Sequence, residues 1–157
     1  LDPRRVRRIL RNLIGNAIEH GEGRPIVITV DSNQNAVAVG VRDQGMGMSA
    51  QDAERVFDRF WRADPSRQRT IGGTGLGLSI ALGDARLHRG SLAVWSEPGG
   101  GTNFVLTLPR GSWALDGASP VPLEGPEATA DIGASTAPVA TARVSTAPVS
   151  TQKGEGS

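Results

Sequence analysis

Cysteine is absent from the 157 residues, and histidine occurs only as His20 and His88. The first absence excludes disulfide scaffolds, thiolate metal sites and thiol nucleophiles. The second excludes a multi-histidine metal centre. No apolar run approaches the ~18 residues of a membrane-spanning helix, and the opening LDPRRVRR lacks the layout of a signal peptide. Charge of one sign is missing too. The 17 Lys and Arg against 16 Asp and Glu leave a formal net charge of +1, which excludes a nucleic-acid binder acting through overall charge. The expectation is a soluble, cytoplasmic domain that is one piece of a longer protein.

What is present is unevenly spread. Every Phe and Trp lies at or before Trp113, and residues 114–157 are mostly Ala, Ser, Thr, Pro, Gly and Val, with STAPV at 135–139 and again at 145–149. Such a segment cannot bury enough apolar surface to offset chain entropy. The composition therefore predicts a folded domain over 1–113 and a disordered tail over 114–157. Lys153 is the single lysine, so all the positive charge of the first 113 residues is arginine.

Within the domain, Val6, Ile9, Leu10, Leu13, Ile14, Ala17 and Ile18 follow helical spacing over 4–20. Asp2 and Pro3 suit its start, and Gly21 and Gly23 its end. Ile26–Val30 and Ala36–Arg42 read as a hairpin around Asp31–Asn35. Ser49 opens a second helix whose buried face is Ala53, Val56, Phe57 and Phe60. A third runs from Gly75 to His88, where His88 suits the C-terminal dipole and Gly90 the stop. Leu92–Ser96 and Asn103–Leu108 form a second hairpin across Glu97–Gly101. The fold class expected is an α/β (α+β) two-layer sandwich, with three helices on one face of a mixed, mostly antiparallel sheet.

Three clusters carry chemistry. Asn12 and Asn16 lie one helical turn apart at the border of the apolar stripe, and His20 continues their row. An amide oxygen is a hard ligand suited to magnesium, although two solvated asparagines are the commoner explanation of such a pair taken alone. Asp43-Gln44-Gly45-Met46-Gly47 follows a strand, with glycines that allow close approach and a carboxylate that suits the amine of adenine; an ordinary Asx turn is commoner for such a segment by itself. Gly72-Gly73-Thr74-Gly75-Leu76-Gly77 leads into a helix and would turn backbone N–H groups toward an anion. It fits neither a dinucleotide fingerprint nor a Walker loop, and a flexible hinge remains open.

Taken together and in order, these segments resemble the ATP-binding domain of bacterial sensor histidine kinases. The resemblance runs through RRILRNLIGNAIEHG (8–21), DQGMG (43–47), VFDRFWRAD (56–64), GGTGLGLSIA (72–81) and GGGTNFVLTLP (99–109), and omits the tail. It implies the Bergerat-type fold shared with gyrase and Hsp90 ATPases, with ATP between the helix layer and a lid at about 61–74. It implies that Asn16 holds Mg2+, with Asn12 beside the phosphates and His20 near the base. Asp43, Gly45, Gly47 and Thr102 would form the adenine side, while Gly73, Thr74, Gly75, Leu76 and Gly77 cradle the phosphates. Asn12, Arg59 and Arg62 would assist phosphoryl transfer. Glu19 departs from relatives that carry Lys or Arg there. His20 lies inside the nucleotide-binding segment and is not the phosphoacceptor.

The partners implied are ATP and ADP, a dimerisation and histidine-acceptor domain outside this chain, and a response regulator downstream. The domain would stand on the cytoplasmic side of a parent that membrane sensors of the family exemplify. A hydrolysing relative usually carries a glutamate base where Asn12 stands, which weighs against a gyrase- or chaperone-like ATPase. A serine kinase of the same fold and a nucleotide-binding module without catalysis also stay compatible with the sequence.

Overall fold

A computed structural model of the chain describes residues 1–59, 61, 76–111, 119–123 and 144–145. The elements are α1 (Pro3–His20), β1 (Val27–Ser32), β2 (Ala36–Asp43), α2 (Ala50–Arg55), α3 (Gly77–Leu87), β3 (Ser91–Glu97), β4 (Gly101–Pro109) and β5 (Val144–Ser145). The sheet order is β1-β2-β4-β3-β5, and every described pairing is antiparallel rather than mixed.

Local chemistry sets the ends of the elements. The Asp2 carboxylate accepts from the Arg4 amide and Pro3 occupies the first turn of α1. Ser49 caps α2 by accepting from the Asp52 amide. At the end of α3 the left-handed residue is Arg89, at φ 55°, and not Gly90. Gly90 is needed for space: a Cβ there would lie 2.5 Å from the Thr107 carbonyl oxygen.

All three helices lie on one face of the sheet. Ile9, Leu13 and Ala17 of α1 and Ala81, Leu82 and Ala85 of α3 close over Val41, Leu92, Val94, Phe104, Leu106 and Leu108. Ala53, Val56 and Phe57 add the α2 side, with the Phe57 ring edge-on to Phe104 at 6.1 Å between centroids. Phe60, expected on the same face, lies outside the described residues.

Two polar ties lock α1 against α3. Arg8 donates to both oxygens of Asp84 and Arg5 to one of them, and the Asp84 side chain is only 3% exposed. His88 Nε2 accepts from the Asp2 amide at 2.9 Å while Nδ1 meets the Asp84 carbonyl at 2.7 Å, so the ring bridges the start of α1 and the end of α3. His88 thus sits at the C-terminal end of α3, bonded to a carbonyl of its last turn.

The opposite face of the sheet carries residues 119–123. Val121 is 3% exposed and packs with Ala38 and Val105, and its Cγ1 would meet a Cβ on Gly40 at 3.0 Å. The Asn103 amide donates to the carbonyls of Pro122 and Leu123, and Thr107 donates to Ser119. Residues 119–123 are therefore folded onto the domain, and 144–145 pair with β3. Small residues on β2 leave a slot that one valine fills.

Candidate functional site

The site is built where the C-terminal end of α1, the loop after β2 and the β3–β4 turn converge. Gly21 abuts Asp43: a Cβ on Gly21 would lie 3.4 Å from the Asp43 Cβ. A Cβ on Gly45 would collide with the His20 carbonyl, so the loop after β2 presses directly on the end of the helix. Gly47 and Gly101 lie in left-handed conformations, at φ 66° and 83°. Side chains on them would strike the Glu97 and Asp43 carbonyls respectively. The two glycine-bearing loops interlock, and the Gly99 amide donates to Met46 O at 2.7 Å.

Further contacts tie this end together. Arg24 donates to the Gln44 carbonyl and Arg42 to the Gly100 carbonyl, with the Arg42 guanidinium 5.4 Å from the Trp95 ring. Asp43 is 1% exposed and Thr102, its register partner across β2 and β4, is 3% exposed. Burial pushes the Asp43 carboxyl above the ordinary range, opposed by the backbone amides of Gly45 and Thr102 and by the nearby His20 and Arg42. A buried carboxylate with its own amide donors is a fixed hydrogen-bond acceptor, which is what an amino group requires.

Asn12, Asn16 and His20 are half-buried along one side of α1. The row rises about 12 Å from Asn12 to His20, the scale of a nucleoside with its phosphate chain. Its far end meets α3, where a Cβ on Gly77 would lie 3.3 Å from the Asn12 amide oxygen. The structure therefore brings Asp43, Gly45, Gly47 and Thr102 to the His20 end of the row, and Leu76 and Gly77 to the Asn12 end. Arg59 is exposed in the turn after α2. Arg62, Gly73, Thr74, Gly75 and all of the expected lid except Trp61 lie outside the described residues; Trp61 packs against the core.

The family described as histidine kinase-, DNA gyrase B-, and HSP90-like ATPase matches residues 1–112. The chain belongs to this family. It is 53% identical over 124 residues to the sensor histidine kinase MtrB of Mycolicibacterium paratuberculosis, covering 79% of this chain and 22% of that protein. It is 46% identical over 110 residues to the signal transduction histidine-protein kinase AfsQ2 of Streptomyces coelicolor, with 70% and 20% covered. The chain thus spans about a fifth of these relatives. Among solved structures, full-length ShkA in complex with AMPPNP matches at TM-score 0.60 and 29% identity, over 71% of this chain and 22% of that one. The mycobacterial sensor histidine kinase MprB matches at 0.58 and 27%, over 69% and 74%.

Ser96 is the site residue that the motifs miss. It is fully buried and joins the loop after β2 to the β3–β4 turn, accepting from the Met48 amide at 2.8 Å and donating to the Gly101 carbonyl at 3.0 Å. The signal was available in the strand alternation. Leu92, Val94 and Ser96 share the inward phase of β3, so a hydroxyl sits where the pattern demands an apolar side chain.

Proposed function

We propose that this domain binds ATP with magnesium and donates the γ-phosphoryl group to a histidine on a separate dimerisation and acceptor domain, within two-component signalling. The observation that carries the reading is the α1 row, with a buried acceptor, Asp43, at one end and the start of α3 at the other. Asp43 accepts from the adenine amine, and Gly45 and Gly47 let the base lie against backbone. Gly73, Thr74, Gly75, Leu76 and Gly77 offer backbone N–H groups to the phosphates, reinforced by the positive end of α3. Lysine is absent from the first 113 residues, so the remaining phosphate charge falls to Arg59, Arg62 and metal.

The residues fit magnesium. Among the described residues no three His, Asp or Glu side chains converge, and the ion takes few protein ligands when phosphates and waters complete its shell. The Asn16 amide oxygen would hold it, with Asn12 one turn away. Bound there, the ion would neutralise charge on the phosphate oxygens. In the transfer, the acceptor imidazole nitrogen forms a bond to the γ-phosphorus, the bond to the β–γ bridging oxygen breaks, and ADP leaves. The chain's part is positioning and charge compensation, which suits an asparagine at position 12 where water activation would need a carboxylate.

Incubating the chain with MgATP and a protein carrying the acceptor helices tests this reading. Acid-labile phosphohistidine should form on the acceptor and disappear with Asn16→Ala. Inorganic phosphate release without any phosphohistidine would favour hydrolysis instead.

A further inference from the structure

We propose that Ser96 is a positioning residue that fixes the Thr102 hydroxyl as an acceptor and so sets the preference of the pocket for adenine. The inference rests on the adenine reading of the Asp43 end. It follows from counting protons. The Ser96 Oγ has three partners: the Met48 amide at 2.8 Å, the Gly101 carbonyl at 3.0 Å and the Thr102 Oγ1 at 2.9 Å. The Met48 amide can only donate and the Gly101 carbonyl can only accept. The single Ser96 proton is therefore committed to Gly101, and the proton shared with Thr102 must come from Thr102.

The direction of that bond has a consequence one residue away. With its proton spent on Ser96, the Thr102 oxygen presents only lone pairs to any ligand. Thr102 and Asp43 are register partners on the helix-facing side of the sheet, so both oxygens border the same end of the site. Two acceptors side by side suit the N–H groups of an exocyclic amine. They oppose the carbonyl oxygen that hypoxanthine carries at the same position. Ser96 touches no ligand in this arrangement and acts through Thr102 alone.

Nucleotide preference reads this role where stability does not. With the full chain, calorimetric affinities for ATP and inosine triphosphate should show a preference for ATP that Ser96→Ala narrows about tenfold, the scale of one hydrogen bond gained or lost. Thr102→Val should narrow it as well, and Ser96→Ala should add nothing further in that background. Equal loss of affinity for both nucleotides in Ser96→Ala would mean that the residue only supports the loop, and would overturn the proposal. If Ser96→Ala does not fold, Thr102→Val decides alone, and an unchanged preference overturns it. An Asp43→Asn variant with undiminished ATP affinity would instead remove the adenine reading itself.

Discussion

Asp43 and Thr102 are register partners across the β2–β4 pair and both are buried, and the Gly45 backbone amide donates to the Asp43 carboxylate at 2.9 Å. The pocket end is thus a product of sheet register, and its acceptor exists before any nucleotide arrives.

Asp43→Asn should weaken ATP binding roughly ten- to hundredfold, because a hydrogen bond to a charged acceptor contributes about 1.5–3 kcal/mol. Isothermal titration calorimetry reads this directly. The pH dependence follows from the raised carboxyl. Binding needs the ionised form, so ATP affinity should start to fall on acidification while ordinary carboxylates are still ionised. Folding of the free domain should respond in the opposite sense, because a raised acid contributes stability below its unfolded pKa and loses it as pH rises through its folded pKa.

The clamp between α1 and α3 should behave as a stability element. Its guanidinium partners, Arg8 first and then Arg5, hold the Asp84 carboxyl below the ordinary carboxylate range. A depressed acid contributes stability above its unfolded pKa and loses it as pH falls through its folded pKa, so this contribution persists until pH drops below the usual carboxylate range. Asp84→Ala should lower Tm by about 3–6 °C, with nucleotide affinity changed much less.

Glycine substitutions should divide by position. Gly47→Ala and Gly101→Ala would each combine a left-handed backbone with a collision against a carbonyl, and should abolish nucleotide binding and lower stability together. Gly15→Ala meets nothing within 4 Å inside α1 and should raise stability by about 0.5–1 kcal/mol. Thermal unfolding of the three variants side by side checks the contrast.

The segment on the outer face should matter to the fold. Val121→Ala removes two buried methyl groups from the slot over Gly40, a loss of about 1.5 kcal/mol, measurable by urea unfolding. A chain ending at 111 should be less stable than the full chain, whereas a freely disordered tail would leave the two alike.

Much of this architecture was legible because its signals are local. The α1 stripe, the Asp2 and Ser49 caps and both hairpins depend on residues within a few positions of each other. The order of the asparagine row, the Asp43 loop and the glycine-rich helix start was enough to indicate the family. What escaped is non-local. Val121 lies in a Ser-Pro-Val-Pro-Leu stretch that reads as linker, and only the small residues Ala38 and Gly40 on a distant strand give it a seat. The grip of Arg5 and Arg8 on Asp84 spans more than seventy residues, so no periodicity announces it. Ser96 was masked because a lone serine in a strand attracts attention only when the inward phase of that strand is counted.

Amide chemical-shift mapping reads the orientation of the nucleotide along α1. Adenosine alone should perturb Gly45, Gly47, Ser96 and Thr102 at the Asp43 end. ATP with magnesium should perturb those and add the side-chain amides of Asn12 and Asn16 and the backbone of Gly77. Adenosine shifts centred on Asn12 and Gly77, or MgATP shifts that leave both Asp43 loop glycines and the asparagine row unmoved, would contradict the account.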